Sequence, residues 1–226
     1  MDRNDPAYRG QADYTPLLLR LYDPIVLGPV IRYVWGCPRS RLIEVYRSNI
    51  RPRHLDVGPG TGWFLDHAGF PADARITILD PNRHVLDMVS HRLQRFDPEL
   101  VEADVLKPLP VTGPFDSAAL AAVIHCLPGP TERKARAVAN VAATLAPDGV
   151  LFGGSVLGSS GPHTRLSRQV LRAFNRRGAF DNLDDSLDSL HSMLDAEFAE
   201  VELETLGTVA LFRATRPFRP ASPTLG

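Results

Sequence analysis

The sequence lacks the long apolar run that a transmembrane helix requires, which is about 18 or more consecutive residues. Its two most apolar stretches fall short, because residues 17–34 are interrupted by Arg20, Asp23 and two prolines, and residues 118–127 are too few. The first residues also lack the apolar segment of a secretory signal. These absences predict a cytoplasmic protein that does not insert into a membrane.

Cysteine is scarce, and neither positive nor negative charge is in excess. The two cysteines, Cys37 and Cys126, have neither metal-site spacing nor a disulfide framework, and the seven histidines form no known ligand pair, so we expect no metal. The 25 Lys and Arg nearly balance the 26 Asp and Glu, which gives a net charge of −1. Such a chain has no general attraction to phosphate backbones, so we expect no nucleic-acid partner. The sequence leaves the oligomeric state open.

What the sequence does contain is a regular alternation of short apolar runs and helical stretches over 226 residues, enough for one α/β domain. This alternation predicts a doubly wound, mostly parallel seven-stranded sheet with helices on both faces. The short link at Gly207 is compatible with an antiparallel last strand. The predicted strands are residues 54–57, 76–79, 99–101, 117–123, 150–153, 201–206 and 209–215, and the predicted helices are 62–68, 82–96 and 132–145.

The segments outside this alternation differ in composition. Residues 1–13 are polar and residues 216–226 are rich in proline, so both are predicted to be flexible ends around a core at 51–215. Residues 14–50 have helical apolar spacing, with breaks expected at Pro24, Pro29 and Gly36. A helical insertion is predicted at 159–196. Thr131 is predicted as the N-cap of the helix at 132–145, and residues 147–149 as the turn that follows it.

The strongest local signal is a buried strand that runs into three alternate glycines, Gly58, Gly60 and Gly62, and then into a helix. Glycine permits a tight turn and a close approach of the backbone to a ligand, and the helix N-terminus offers free N–H groups. Such a turn could hold a dinucleotide or another nucleoside cofactor. A dinucleotide fingerprint would place its third glycine at position 63, which is Trp63, and no P-loop is present. A nucleophile elbow around Ser155 would need glycine at position 157, which is Leu157.

Residues 55–62 resemble the first motif of class I, Rossmann-like methyltransferases that use S-adenosylmethionine, and the resemblance extends over residues 50–155. It implies that Asp80, after the second strand, holds both ribose hydroxyls, and that Asp104, after the third, contacts the adenine amino group. Either acid alone could be a surface turn residue or a helix cap. The implied cofactor contacts are Asp56, Gly58, Pro59, Gly60, Asp80, Pro81, Asp104, Val105, Ala121, Tyr14 and Tyr22.

Residues 14–50 resemble the helical lid that closes over the cofactor in the small-molecule members of this family. The resemblance places Tyr14 and the pair Tyr22-Asp23 near the methionine end of the cofactor, although these tyrosines could equally be apolar helix-face residues. Aromatic residues at three other positions could line a substrate pocket or simply be buried. These residues are Tyr33, Trp35 and Trp63.

His125 and Cys126 follow the fourth predicted strand, at the edge where ligands bind in open α/β sheets. His125 is the candidate catalytic residue, as a general base for a hydroxyl, thiol or amine, because imidazole titrates near neutral pH. The alternative, which we prefer, is that His125 packs at the strand exit. Cys126 is not expected to act as a nucleophile, since methyl transfer needs no covalent intermediate.

The insertion carries a row of arginines at helical spacing, Arg165, Arg168, Arg172 and Arg176, opposite Leu166, Val170 and Phe174. The row could bind an anionic substrate. It could also be a solvated helix face whose charge is neutralised by nearby acids. We prefer this interpretation, because a run of charged residues usually faces solvent. The acids in question are Asp181, Asp184, Asp185 and Asp188.

The sequence as a whole predicts an enzyme that transfers a methyl group from S-adenosylmethionine to an oxygen, sulfur, nitrogen or carbon nucleophile of a small molecule, with S-adenosylhomocysteine as product. A secondary metabolite is the expected acceptor. Two alternatives remain: a methyltransferase for RNA or protein, and a protein that binds S-adenosylmethionine without transferring its methyl group. The near-neutral charge argues against the first of these.

Overall fold

The computed structural model describes residues 26–219 of the chain. They contain seven strands, which are β1 Arg53–Val57, β2 Arg75–Asp80, β3 Glu99–Glu102, β4 Phe115–Ala121, β5 Leu145–Val156, β6 Phe198–Leu206 and β7 Val209–Pro217. These strands form one sheet with the order β3-β2-β1-β4-β5-β7-β6, in which β1 to β5 pair in parallel and β7 runs antiparallel to both β5 and β6. The predicted α/β class and antiparallel last strand are confirmed.

Helices cover both faces of the sheet. They are a π-helical segment Val26–Val34, α1 Arg39–Asn49, α2 Trp63–His67, α3 Arg83–Arg92, α4 Thr131–Ala142, α5 Arg165–Arg176 and α6 Leu187–Asp195, with single 3₁₀ turns at Gln94–Phe96 and Ile124–Cys126. One face of the sheet packs against α4 and α6, the other against α1, α2 and α3, and side chains alternate between the faces along each strand. Leu55 of β1 lies in the first layer, whereas Ile76 of β2 lies in the second.

The order of the strands places a ligand crevice. The chain moves outward from β1 to β2 and β3 on one side, and from β4 to β5 on the other. Connections therefore leave β1 and β4 in opposite directions, which opens a gap beyond their carboxyl ends. The glycine turn after β1 lies at this gap.

Several predicted element ends are wrong, among them the helix predicted at 82–96, which ends at Arg92. The fourth strand ends at Ala121 because Ala122 adopts a positive φ of 61° and a 3₁₀ turn follows. The helix predicted at 132–145 ends at Ala142, and Leu145 already pairs with Phe115 in the sheet. Thr131 is the first helical residue after the cap residue Pro130, so it is not the N-cap. The turn predicted at 147–149 instead lies inside β5, where the register with β4 shifts and residues of β5 bulge outward.

The segments before and after the sheet match the predictions in part. The break at Gly36 is present, with a φ of 75° and a packing contact against Gly207 that leaves no room for a side chain. The break predicted at Pro29 is wrong, because the π-helical segment runs through it; in the first turn of a helix the missing proline N–H removes no intrahelical bond. Pro24 lies outside the described residues. β7 continues to Pro217, two residues into the range predicted as a tail.

The segment predicted as a helical insertion, residues 159–196, contains α5 and α6 and is anchored by a buried ion pair. The Nζ of Lys134, on α4, donates to both carboxylate oxygens of Asp185 at 2.7 Å and to the carbonyl oxygen of Asp181. Lys134 is 0% exposed and Asp185 is 7% exposed. The carboxylate of Asp181 accepts a hydrogen bond from the Gly129 N–H at 2.7 Å. The loop before α6 is therefore fixed to the start of α4.

Candidate active site

A cleft of about 1120 Å³, measured out to its open mouth, lies at the carboxyl ends of β1, β2 and β4. Eight of the eleven predicted cofactor contacts line it, although they come from four separate stretches of the chain. The remaining three are Asp56, which does not line the cleft, and Tyr14 and Tyr22, which lie outside the described residues. The eight lining residues are Gly58, Pro59, Gly60, Asp80, Pro81, Asp104, Val105 and Ala121.

The three glycines of the turn all have positive φ, at 65°, 60° and 74° for Gly58, Gly60 and Gly62. The turn is closed by two backbone bonds: the Gly58 N–H donates to Leu79 O at 2.9 Å and the Gly62 N–H donates to Pro59 O at 3.0 Å. A Cβ on Gly58 would lie 2.7 Å from Val123 Cγ2, whereas a Cβ on Gly60 would meet no atom within 4 Å. Gly60 therefore presents bare backbone to the cleft, and Gly58 is needed for packing.

This contrast predicts different effects for alanine at the two glycines. Both variants incur about 1–2 kcal/mol of left-handed backbone strain. Gly58→Ala adds a clash with Val123 and is expected to lose about 1–3 kcal/mol more stability. Gly60→Ala is expected to stay folded but to weaken the binding of S-adenosylhomocysteine, because its methyl group stands in the cleft. Urea unfolding and calorimetric titration of both variants measure this, and equal stability with equal affinity would contradict the assignment of Gly60 to the ligand side.

Asp80 ends β2 with its carboxylate at the cleft. Burial raises the pKa of Asp80 to about 7, the hydrogen bond from the Asn82 N–H opposes that shift, and the charge of Asp56 adds to it. The Asn82 N–H donates to Oδ1 at 2.7 Å, and among residues 26–219 no donor reaches Oδ2. Asp80 can therefore accept further hydrogen bonds from a ligand, and it accepts them best as the carboxylate.

The pKa of Asp80 predicts that cofactor affinity depends on pH. In the free protein this carboxyl is protonated below about pH 7. If the two ribose hydroxyls bind the ionised form, binding must release that proton, so affinity falls as the pH falls through 7. We expect S-adenosylhomocysteine to bind about tenfold more weakly at pH 6 than at pH 8. Calorimetric titration at the two pH values measures how the affinity changes with pH. Asp80→Asn is the control, since it should bind S-adenosylhomocysteine weakly at both pH values. A wild-type affinity that is the same at both values would contradict the role of Asp80.

Asp104 also lines the cleft and follows β3, the neighbour of β2 in the sheet. It is half-buried, and its Oδ1 accepts a hydrogen bond from the Leu106 N–H at 2.9 Å, which fixes the carboxylate at the cleft wall. The buried side chain of Val105 lines the wall beside it. A flat apolar ligand with an amino group at its edge could pack on Val105 and donate to Asp104.

Asp56 is buried below the cleft, at 1% exposure. Its Oδ2 accepts a hydrogen bond from the Tyr46 hydroxyl at 3.0 Å and lies 3.5 Å from His54 Nε2. Its Oδ1 has no hydrogen-bond partner among the described residues. Sequence reasoning missed Tyr46 and His54, because a helical tyrosine and a strand histidine carry no signal for such a role.

His125 is buried at 4% exposure and does not line the cleft. Its Nδ1 accepts a hydrogen bond from the Val156 N–H at 3.2 Å and lies 3.4 Å from Ser155 Oγ, while Phe180 packs edge-on at 4.4 Å. Burial, with a smaller contribution from Lys134, lowers the pKa of His125 to about 3. The imidazole is therefore neutral at physiological pH with its acceptor nitrogen already used, which favours the packing interpretation.

Cys126 does line the cleft, but its chemistry is that of an unreactive thiol. Burial raises the pKa of Cys126 to about 12, and Lys134 lowers it by less. The thiolate that a nucleophile requires is therefore absent at neutral pH. The Sγ lies 3.6 Å from the carbonyl oxygen of Ala122.

The three aromatic candidates lie in different environments. Trp63 lines the cleft, beside the unpredicted Phe64. Tyr33 is 70% exposed, and Trp35 is buried against Phe174 and Phe180, so neither contributes to the cleft wall. Of the two interpretations from the sequence, a pocket wall or simple burial, Trp35 fits burial, Trp63 fits the wall, and the exposed Tyr33 fits neither.

The arginine row of α5 faces solvent along its whole length. Among residues 26–219, none of its four arginines forms an ion pair. Two of the acids predicted to neutralise them have other partners: Asp181 binds the Gly129 N–H and Asp185 binds Lys134. Leu166, predicted on the apolar side, is 52% exposed. The row is a solvated face, and the predicted neutralising acids do not reach it.

The described part of the chain holds no group of three His, Cys, Asp or Glu side chains placed to bind a metal ion. Nor is any helix in that part both long and apolar enough to cross a membrane.

The chain is similar to known methyltransferases along most of its length. A family model described as a methyltransferase domain matches residues 55–153. The demethylluteothin O-methyltransferase of Streptomyces thioluteus is 36% identical over 207 residues, which are 91% of this chain and 90% of that protein. The N-methyltransferase vrtF of Penicillium aethiopicum is 38% identical over 185 residues, which are 81% of this chain and 78% of that protein.

A solved structure with this fold contains the product of methyl transfer. The N-methyltransferase NodS from Bradyrhizobium japonicum WM9, in complex with S-adenosyl-l-homocysteine, matches with a TM-score of 0.58 and 19% identity, over 79% of this chain and 87% of that chain. This match shows the fold, and the sequence relatives show the family. The protein therefore belongs to the class I methyltransferases that depend on S-adenosylmethionine.

Proposed function

We propose that the protein binds S-adenosylmethionine in the cleft after β1, β2 and β4 and transfers its methyl group to a small molecule. The observation that carries the proposal is that three features able to contact a ligand line the same cleft. These are the bare backbone at Gly60, the buried carboxylate of Asp80 with an oxygen that no donor among residues 26–219 reaches, and the fixed carboxylate of Asp104.

These residues fit the cofactor from one end to the other. Asp80 would accept both ribose hydroxyls, Asp104 the adenine amino group, and the Gly58–Gly60 turn would lie along the amino-acid end. The bound cofactor supplies a methyl group on a positively charged sulfur. The chain itself contributes orientation and the exclusion of water, through the apolar wall at Val123, Leu127 and Pro128.

The acceptor is a small molecule with an oxygen or nitrogen nucleophile. The relatives are named as an O-methyltransferase and an N-methyltransferase, which supports both atoms. No cationic side chain lines the cleft among the described residues, so an uncharged, largely apolar metabolite suits it better than an anion. The net charge of −1 likewise suits a metabolite better than RNA.

The test of the proposal is the transfer of labelled methyl from S-adenosylmethionine to three separate fractions: a small-molecule metabolite extract, RNA and protein. We expect label only in the metabolite fraction, and Asp80→Ala as the matched control should transfer roughly ten- to a hundredfold less at subsaturating S-adenosylmethionine. Label in the RNA or protein fraction would replace the proposed acceptor. Binding of cofactor with transfer to no fraction would support a binding protein without methyl transfer.

The packing role of His125 gives a separate prediction. A general base is worth about 10²–10⁴ in kcat, and glutamine cannot take up a proton near neutral pH. We expect His125→Gln to retain at least a tenth of wild-type turnover, since a packing residue takes no part in proton transfer and its replacement removes none of the 10²–10⁴-fold contribution of a base. Steady-state turnover at saturating substrate measures this. A loss beyond about a hundredfold, with unchanged melting temperature and cofactor affinity, would make His125 catalytic.

A further inference from the structure

The segment between the 3₁₀ turn after β4 and the start of α4 forms one wall of the cleft. Cys126, Leu127 and Pro128 line the cleft, and the last two of them are buried. The segment ends at Gly129, which has a φ of 94° and leads into the cap residue of α4. Glycine adopts positive and negative φ about equally readily, so the backbone of Gly129 does little by itself to fix the wall. Residues 126–129, the wall segment, therefore need a contact from elsewhere to hold one position relative to α4.

Asp181, in the loop between α5 and α6, supplies contacts on both sides of the wall segment. Its backbone N–H donates to the carbonyl oxygen of His125 at 3.0 Å. Its carboxylate Oδ2 accepts a hydrogen bond from the Gly129 N–H at 2.7 Å. The three residues that line the cleft lie between these two contacts, so Asp181 bridges the wall from one end to the other.

The loop that carries Asp181 is itself held by buried groups. The neighbouring Asn182 is buried, and its Nδ2 donates to the carbonyl oxygen of Val156, at the end of β5, at 2.7 Å. The buried ammonium group of Lys134, on α4, donates to the carbonyl oxygen of Asp181 and to the carboxylate of Asp185. The loop is therefore anchored to the sheet and to α4, and the Asp181 side chain extends from a fixed base.

We propose that Asp181 is a positioning residue, which holds the wall segment in the arrangement that binds the cofactor. The inference rests on the proposed function. Asp181 does not line the cleft, so it acts through Gly129 and not by touching the ligand. A protein whose binding-competent arrangement is only partly populated binds its ligand more weakly by that fraction. The bond from Gly129 to Asp181 keeps the competent arrangement populated before the ligand arrives.

Asp181→Ala tests the inference, because it removes the acceptor for the Gly129 N–H and keeps the backbone bond to His125. We expect it to bind S-adenosylhomocysteine about five- to tenfold more weakly in calorimetric titration, the range of about one hydrogen bond. Asp181→Asn keeps an oxygen that can accept from Gly129 and should bind within about twofold of wild type. Asp184→Ala, at an exposed aspartate in the same loop, is the control and should bind as wild type does.

Hydrogen exchange adds a measurement that requires no variant. The Gly129 amide of the wild-type protein should be protected, because its hydrogen is bonded to Asp181, and S-adenosylhomocysteine should protect Gly129 and Leu127 further. In Asp181→Ala, the Gly129 amide should exchange faster by about the factor by which the affinity falls. An unprotected Gly129 amide in the wild-type protein would overturn the inference even if Asp181→Ala does not fold.

The titrations separate positioning from a general loss of stability. They are run well below the melting temperature, where a lower stability of the whole fold leaves the affinity of the folded protein unchanged. Unchanged affinity in Asp181→Ala would refute the positioning role, as would equal weakening in Asp181→Ala and Asp181→Asn, since the second variant keeps the acceptor. If the wild-type protein does not bind S-adenosylhomocysteine, the proposed function itself fails.

Discussion

Replacing Asp185 with alanine is expected to lower the free energy of unfolding by about 3–5 kcal/mol. The variant leaves the Lys134 ammonium group, which is 0% exposed, without its carboxylate partner. A buried charge without a partner is far less stable than the same charge in water. Urea unfolding monitored by circular dichroism measures the loss. The loop before α6 should become the first part to exchange its amide hydrogens.

Asp184→Ala is the matched control for this prediction, because Asp184 is exposed and contributes only a backbone carbonyl to the Ser159 hydroxyl. It should change stability by less than about 0.5 kcal/mol. The double variant Lys134→Met with Asp185→Leu should recover much of the loss, since apolar replacements remove the buried charge altogether. A loss below about 1 kcal/mol for Asp185→Ala alone would show that the ion pair is not formed in solution.

Asp80→Ala is expected to weaken the binding of S-adenosylhomocysteine by roughly ten- to a hundredfold. The basis is the loss of a charged acceptor to buried hydroxyls, at about 1.5–3 kcal/mol for each hydrogen bond. Asp80 is 8% exposed and has an oxygen that no described donor uses, so the bonds form away from competing water. Isothermal titration calorimetry gives the affinity directly.

Asp87→Ala, on α3, is the control for a lost aspartate charge near the cleft. Asp87 pairs with Arg83 at the surface, with more than half of each side chain exposed, so its removal should change the affinity by less than about twofold. If Asp80→Ala is folded by circular dichroism and binds as tightly as wild type, Asp80 does not belong to the cofactor site.

The parts of the fold that depend on side-chain pattern could be predicted from the sequence. Buried strands have continuous apolar runs, and the glycines after β1 carry the positive φ that their spacing indicates. The exact ends of elements could not be predicted where tertiary contacts override local preference. Ala122 turns the chain out of β4 with a φ of 61°, although nothing in an alanine signals a left-handed residue. Leu145 is drawn out of a helical pattern by pairing with Phe115.

Some residues of the candidate site could likewise be predicted from the sequence, and others could not. Acids at the ends of neighbouring strands could be located from order and spacing, and Asp80 and Asp104 do line one cleft. Asp56 belongs to the same motif, yet its side chain contacts Tyr46 of α1 and His54 of β1 and does not line the cleft. Both partners are near Asp56 in the sequence, but the contact with Tyr46 depends on the packing of α1 on the sheet, and neither residue type signals a carboxylate partner.

The crystal structure of the protein with S-adenosylhomocysteine is the most direct test of the central claim, that the cleft after β1, β2 and β4 is the cofactor site. We predict ligand density with the ribose hydroxyls at hydrogen-bond distance from Asp80, the adenine amino group at Asp104, and the amino-acid end along Gly58 and Gly60. Density for the ligand at another place on the chain, or an orientation that leaves Asp80 without contact to the ribose, would contradict the account.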